Sequence, residues 1–299
     1  MKKKFTLFCI AVFVITTNVV LQAGTWTTLD FPGSQHSYVS DIDDNKIIGS
    51  YSVGWSDSHG FIYDGTNWTT LDHPNAGGRT HVQGIDGDTI VGLYDDGSIG
   101  NSHGFIYDGT NWTTLDYPNA GGSFAFGIDG GNVVGSYYDT SFFDTHGFIY
   151  DGTNWTSLDY PGGNRTNISG IDNGKMVGHY MNNQAINSGF IYDGIDWTPL
   201  HFPGAGDTFA NDIDGDRIVG QYIDNLSNRH GFLYDGITWE TLDFPGASVT
   251  RVLGISGDNI VGSYTDDQGY DHGFLYTVPE PATLLLLGLG GIALRKRRK

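Results

Sequence analysis

SFAFGIDGGNVVGSYYDTSFFDTHGFIYDGTNWTSLDYP, residues 123–161, carries the pattern from which the fold is read. Four short strands fit it: a from Phe124 to Asp129, b from Asn132 to Tyr137, c from Gly147 to Tyr150 and d from Asn154 to Asp159. All four hold the β-branched and aromatic residues that suit a pleated surface. The a-to-b link is a tight Asp-Gly turn and the c-to-d link is Asp151-Gly152-Thr153-Asn154. Both are hairpin signals, because glycine accepts a positive φ.

The unit recurs along the chain. Trp155 has counterparts at Trp26, Trp68, Trp112, Trp197 and Trp239, with successive gaps of 42, 44, 43, 42 and 42 residues. Self-similarity at that period marks a repeat architecture, and four strands per unit point to an all-β, six-bladed β-propeller. The repeat does not start in phase. The body begins with a d strand, Thr25 to Asp30, and ends with a c strand, Gly273 to Tyr276. Pairing that first strand with the last three (Arg251 to Ser256, Asn259 to Tyr264, Gly273 to Tyr276) completes one blade, closes the ring and leaves no open edge. A linear solenoid needs polar caps instead.

Within strand d, Trp68 and Leu71 have opposite parity and face opposite neighbours. Burying one Trp contributes about 5 kcal/mol, from about 200 Å² at about 25 cal/mol/Å². The Trp ladder is therefore read as packing and not as a row of sugar platforms, since a binding site does not need the same aromatic in every blade.

The two ends differ from the body. Residues 1–24 read as a secretory signal: Lys2, Lys3 and Lys4, an apolar run from Leu7 to Val14, and Ala23 near a cleavage point. The only cysteine, Cys9, lies inside it, so the mature chain has no disulfide to rely on. The propeller is assigned to residues 25–277 and a sorting tail to 278–299. In that tail Val278-Pro279-Glu280-Pro281 precedes an uncharged stretch, Ala282 to Leu294, which is short for a membrane span, and a basic cluster, Arg295 to Lys299. This order of elements resembles the PEP-CTERM sorting signal of Gram-negative bacteria. The resemblance implies membrane contact through the C-terminal segment before processing, an exosortase as processing partner with cleavage near Pro279-Glu280-Pro281, and delivery to the cell surface or extracellular matrix. The repeat itself resembles the HAF-type bacterial extracellular repeat. The motif appears as His-Gly-Phe at His59, His103, His146, His230 and His272, with Ser188 in the remaining copy. That likeness implies export and repetition and carries no chemistry.

The formal charge is −19, yet eight basic residues sit at the two ends. Between residues 24 and 279, seven basic residues face 33 acids, of which Glu240 is the one Glu. A body this acidic excludes nucleic acid as partner, because phosphate binding needs a basic face. It suits a soluble exported protein.

Candidate sites follow from the topology. Histidines at equivalent positions of different blades cannot converge on a metal. Hairpin turns of both kinds emerge on one face, which the aspartates crowd. Asp212, Asp214 and Asp216 are the best single Ca²⁺ candidate there, although the spacing is not that of an EF-hand and Asp-Gly also suits a type I′ turn; no other cofactor is expected. The opposite face carries the d-to-a and b-to-c loops, which vary most between copies, as specificity loops do. Arg79, Arg165 and Arg251 lie in or just after d-to-a loops and Arg229 lies in a b-to-c loop. They are expected to ring the channel mouth and hold acidic sugars through charge-assisted contacts.

The functional expectation is an exported, non-catalytic surface or matrix propeller that binds or scaffolds exopolysaccharide or a surface protein. The alternative is a secreted propeller-type glycosidase or lyase. Asp108-Gly109-Thr110-Asn111-Trp112 resembles the sialidase Asp-box in position, but its Gly follows Asp directly, which breaks that motif. An enzyme also needs a locally unique acid pair, and nearly every acid here recurs by symmetry.

Overall fold

The computed structural model describes residues 24–54, 57–98, 102–140 and 144–279. Its 24 strands form six four-stranded antiparallel sheets, the blades of a β-propeller. Blade 1 is a meander of β2 (His36–Asp43), β3 (Lys46–Ser52), β4 (His59–Tyr63) and β5 (Trp68–Leu71). Blades 2 to 5 repeat it. Blade 6 is ordered β1 (Thr25–Leu29), β24 (Asp271–Thr277), β23 (Asn259–Thr265) and β22 (Val249–Ser256). The N-terminal strand thus closes the ring, with Thr25 opposite Thr277 and Leu29 opposite Gly273. The propeller Thr25–Val278 is a compact unit of its own. Residues 1–23, which fall in the segment read as a secretory signal, and the tail from Glu280 onward lie outside the described residues.

The structure gives the repeat motifs their reasons. The Phe of each His-Gly-Phe or Ser-Gly-Phe motif is fully buried, and its ring lies over the Gly of strand b. A Cβ on Gly135 would stand 2.8 Å from the Phe148 Cζ and closer still to the Phe124 carbonyl oxygen, so Val-Gly-Ser-Tyr must keep its glycine. The motif's own glycine is equally constrained. A Cβ on Gly147 would strike the Leu158 carbonyl oxygen and stand 2.9 Å from Ile168 of the next blade, which is why Ala does not appear there.

Blades are stitched by aromatic seams. The residue after each d-strand Leu-Asp or Leu-His (Phe31, His73, Tyr117, Tyr160, Phe202 or Phe244) enters the next blade. There Tyr117 stacks on Tyr137 at 3.7 Å and meets Trp155 edge-on at 5.3 Å. The same triad forms around Trp26, Trp68, Trp112, Trp197 and Trp239. Leu71 packs instead with Val82 and Ile85 of blade 2, on the opposite side of its strand from Trp68. The Trp ladder is therefore part of the core.

A second stitch runs around the turn face. The last carboxylate of each inner strand accepts the backbone N–H of the next blade's hairpin turn: Gly87 to Asp43 at 2.7 Å, and Gly130 to Asp86, Asn173 to Asp129, Gly215 to Asp172 and Gly257 to Asp214, each at 2.8 Å. The Asp44 N–H completes the circle by donating to Ser256 Oγ at 3.2 Å. The Asp of Gly-Ile-Asp is thus an inter-blade latch.

Candidate functional site: the central channel

Each inner strand carries the same β-bulge. In blade 3 the pairing of β10 (Gly122–Asp129) with β11 (Asn132–Tyr138) slips between Ala125 and Gly127 and leaves Phe126 unpaired. The slip recurs at Val39/Asp41, Val82/Gly84, Ile168/Gly170, Ala210/Asp212 and Val252/Gly254. A bulge bends its strand and re-aims a side chain. Here the bulged residues are Ser40, Gln83, Phe126, Ser169, Asn211 and Leu253, and all line a cavity of about 210 Å³ in the channel. Asn167, His179, Asp41 and Asp212 complete its polar wall.

Comparing inner strands by position separates scaffold from site. Positions 2, 4 and 7 are small or β-branched, as in Ser37, Val39 and Ile42, and lie buried between blades. Positions 1, 3 and 5 change from blade to blade. Position 3 reads Tyr38, His81, Phe124, Asn167, Phe209 and Arg251, each half-buried and two residues nearer the loop face than a bulged residue.

Two acids are peculiar to this channel. Asp41 and Asp212 stand where the other blades have Gly84, Gly127, Gly170 and Gly254. Asp41 accepts the N–H of Ile42 at 2.8 Å and that of Ile85 in blade 2 at 3.0 Å; Asp212 accepts the N–H of Ile255 in blade 6 at 2.9 Å. Burial raises the Asp41 carboxyl well above its ordinary range, with the Asp212 charge adding to the effect and the two N–H groups opposing it. Burial likewise pushes Asp212 up to about 7 against its backbone bonds, with Asp214 and Asp172 adding. His179 is pushed down to about 4 by burial, against the pull of Asp207, and its Nδ1 has no hydrogen-bond partner among the described residues.

The four arginines separate into two pairs. Arg229 and Arg251 are half-buried on the blade 5 and blade 6 side, each within reach of the other's charge. Burial and the Arg251 charge weaken the hold of Arg229 on its proton, and the Arg229 Cζ lies 5.7 Å from the Phe209 ring centroid. Phe209 in turn meets His179 edge-on at 4.9 Å, which links rim to chamber. Arg251 Nη1 lies 3.4 Å from Asp271 Oδ1, and the Tyr38 hydroxyl donates to Asp271 Oδ2 at 2.6 Å. Arg79 and Arg165 are instead the exposed first residues of β6 (Arg79–Asp86) and β14 (Arg165–Asp172), and Arg79 approaches Asp95 at 4.0 Å. Arg79 and Arg165 thus differ from Arg229 and Arg251 in exposure, standing at the outer ends of their inner strands.

The Asp212, Asp214 and Asp216 carboxylates do not converge. Asp212 faces Ile255 N–H, Asp214 holds Gly257 N–H and Arg217, and Asp216 pairs with Lys175 at 2.9 Å. Among the described residues no group of three or more His, Cys, Asp or Glu side chains is arranged to hold a metal ion. The histidines at the start of strand c each bind an aspartate in their own blade, as His103 Nδ1 does Asp116 at 2.8 Å and His230 Nδ1 does Asp243 at 2.7 Å. The c-to-d aspartates cap their own turns: Asp108 accepts the N–H of Thr110 and Asn111, bonds that hold its carboxyl below the ordinary range. Val278 still belongs to blade 6, its N–H donating to the Asp258 carbonyl at 2.8 Å, so the sorting motif begins at the seam of the ring.

Reading the sequence for motifs misses the bulged residues, because they are what the repeats do not share. Their signal is variability confined to alternate positions of an otherwise fixed strand.

Residues 277–299 match the PEP-CTERM protein-sorting motif. That motif is the mark of an exported protein sorted by an exosortase and anchored in the membrane by its C-terminus before processing. No curated protein matches the chain. Among solved structures the fold is similar to that of the Aleuria aurantia lectin in complex with α-methyl-L-fucoside, at 14% identity over 86% of this chain and 99% of that one, with a TM-score of 0.52. It is also similar to the β-propeller domain of the Trilobed protease from Pyrococcus furiosus (10% identity, 83% and 97% covered, TM-score 0.50). Trypanosoma rangeli sialidase in complex with sialic acid is a third (10% identity, TM-score 0.51), with 89% of this chain matching 58% of that one. At these identities the likeness is one of fold alone.

Proposed function

We propose that this chain is a non-catalytic propeller of the cell surface or extracellular matrix of a Gram-negative bacterium, which binds or scaffolds exopolysaccharide through its channel and loop face. The observation that carries the reading is the set of six bulged side chains. A scaffold this symmetric varies its inner strands on one side only, and the bulged residues are two hydroxyls, two amides, one aromatic and one Leu around a cavity. Such a mixture of apolar wall and convergent polar groups is what small-ligand sites share. Two of the fold's neighbours carry sugars in their structures, the lectin a fucoside and the sialidase sialic acid. The likeness to HAF-type repeats agrees with an extracellular location.

The test is a glycan array and a matrix pulldown on the full chain, with and without Ca²⁺. Arg229→Ala/Arg251→Ala is expected to weaken capture at least tenfold and Arg79→Ala/Arg165→Ala to leave it within twofold. Capture of a surface protein and no glycan moves the reading to a protein partner. Equal losses in both double variants point to general electrostatics and reject the channel.

A second reading, a carbohydrate-active enzyme, is favoured by one observation: Asp41 and Asp212 form a locally unique acid pair with raised pKa values at a cavity, a pattern that clusters at functional sites. Against it, both carboxylates are engaged by backbone N–H groups at the blade junctions. Polysaccharide depolymerisation abolished by Asp41→Asn and by Asp212→Asn decides for the enzyme.

A further inference from the structure

Resting on the polysaccharide reading, we infer that the channel takes the end of a saccharide chain, one sugar deep, with a neutral terminal residue in the chamber and an anionic neighbour at the Arg229–Arg251 rim. Size sets the depth. A cavity of about 210 Å³ is somewhat larger than the roughly 150 Å³ cavity that takes one benzene, the space of a single pyranose with its hydroxyls.

Lining chemistry sets the class of the terminal residue. Ser40, Gln83, Asn167 and Ser169 offer hydroxyls and amides that donate and accept, and among the described residues no hydrogen bond engages these side chains. The orphaned His179 nitrogen belongs to the same wall. A buried polar atom without a partner is rare in folded proteins, so His179 Nδ1 marks a bond left for something else, and the part-exposed hydroxyls and amides beside it stand open to the same space. Phe126 supplies the apolar surface on which the C–H face of a sugar packs. Among the described residues no Lys or Arg lines the chamber, and Asp41 and Asp212 do, so a carboxylate or sulfate finds no counter-charge among them. The cationic groups that reach the chamber wall are Arg229 and its neighbour Arg251, Arg229 lying against Phe209 and Phe209 against His179, so an anion is placed there.

Enclosure sets the end-on geometry. The chamber is walled by all six inner strands. Below it the channel passes Asp41 and Asp212 and then the latch carboxylates Asp43, Asp86, Asp129, Asp172 and Asp214. The interior of a polymer enters a ring of strands only by threading it, and this ring of carboxylates repels an acidic chain. An end enters directly.

Ser169→Phe tests the inference without breaking the scaffold, because Phe126 shows that a bulge in this ring carries Phe. The first arm repeats the matrix pulldown with the full-length variant, a thermal melt within a few degrees of wild type confirming the fold. Loss of capture is expected. Undiminished capture overturns end-on binding while leaving the polysaccharide reading standing. The second arm uses hyaluronan, which alternates a uronate with a neutral hexosamine, cut to several lengths so that equal masses carry different numbers of ends. Binding that scales with ends, at least tenfold tighter for a hexosamine terminus than for a uronate terminus, supports the proposal. Binding that scales with mass, a preference for the acidic terminus, or no binding while the pulldown also ignores Ser169→Phe rejects it. If neither polymer nor matrix is captured by wild type, the polysaccharide reading falls and takes this inference with it.

Discussion

Replacing Asp212 by Asn is expected to raise stability at pH 8 and to leave it nearly unchanged at pH 4. Burial places the Asp212 pKa at about 7, against about 3.9 for an unfolded chain. Below pH 4 both states hold the proton, and the buried acid costs nothing extra. Between pH 4 and 7 the unfolded chain releases the proton while the folded ring keeps it, so stability falls by about 1.4 kcal/mol per pH unit. Over three units that amounts to about 4 kcal/mol, and above pH 7 both states are ionised and the loss is constant. Asp212→Asn keeps an oxygen to accept the Ile255 N–H and removes the titration. The figure is a ceiling, since water entering the chamber relieves part of the desolvation. At roughly 2–4 °C per kcal/mol for a domain of this size, the variant gains up to about 8–16 °C in Tm at pH 8. Guanidinium unfolding of both proteins from pH 4 to pH 8 measures the difference. Parallel curves across that range would falsify the argument, and a variant weaker at every pH shows that Asp212 works as an ionised acceptor.

Asp129→Ala removes one latch and is expected to cost about 1 kcal/mol in urea unfolding, with Ser256→Ala costing less because its bond is neutral and, at 3.2 Å, longer than the 2.8 Å of Asp129; no loss in either denies the latch ring an energetic role. Gly135→Ala drives a methyl into the Phe124 carbonyl and the Phe148 ring and is expected to cost about 1–3 kcal/mol or more, read as a Tm; a neutral result means the seam is looser than drawn. Trp155→Ala opens a seam and is expected to cost about 3–5 kcal/mol, whereas wild-type stability contradicts a packing role for the Trp ladder. His272 pairs with Asp30 across the ring closure: burial lowers its pKa, but the bond to Asp30 and the charges of Asp30 and Asp266 outweigh it, and the net shift is upward. Its stabilisation is therefore complete below about pH 6.5 and lost as pH rises through the higher folded value. An NMR titration of the imidazoles with the His272 midpoint at or below 6.5 refutes this.

The architecture was legible because the features that fix it are repeated. Trp spacing, Asp-Gly turns and the out-of-phase ends each pointed to a closed six-bladed ring, and the pairing of Thr25 with Thr277 is the closure so deduced. The structural role of the strand-c histidines was legible for the same reason, since symmetry forbids them to meet. Strand limits were less so: the pairing of β12 (Thr145–Tyr150) with β11 begins at Thr145, two residues before Gly147. The site resisted because its parts are long-range. Nothing local says that Arg229 and Arg251 are half-buried while Arg79 and Arg165 are exposed. That follows from where each falls in its strand: Arg251 is the third residue of an inner strand, Arg79 and Arg165 are first residues, and Arg229 opens a c strand beside Phe209. The latch was hidden in plain view, because an Asp at a turn has a sufficient local explanation and its partner lies one blade away.

Symmetry itself then separates scaffold from ligand site in this ring. Six equivalent positions present the same group six times around the axis, which suits a latch, a seam or a turn cap and serves a six-fold partner only. A sugar has no such symmetry, so residues that recognise one must differ between blades while leaving every seam intact. The bulge makes that division possible: it lifts one residue per inner strand out of the pairing pattern, so Ser40, Gln83, Phe126, Ser169, Asn211 and Leu253 vary in size and polarity without altering the register that Val39, Ala125 or Ile168 maintain between blades. Asp41 and Asp212 carry the same logic one residue further, where four blades have glycine and these two have an acid that accepts a backbone N–H of the next blade. A channel that merely resulted from closing the ring would be free to repeat its lining as strictly as its seams, and this one does not.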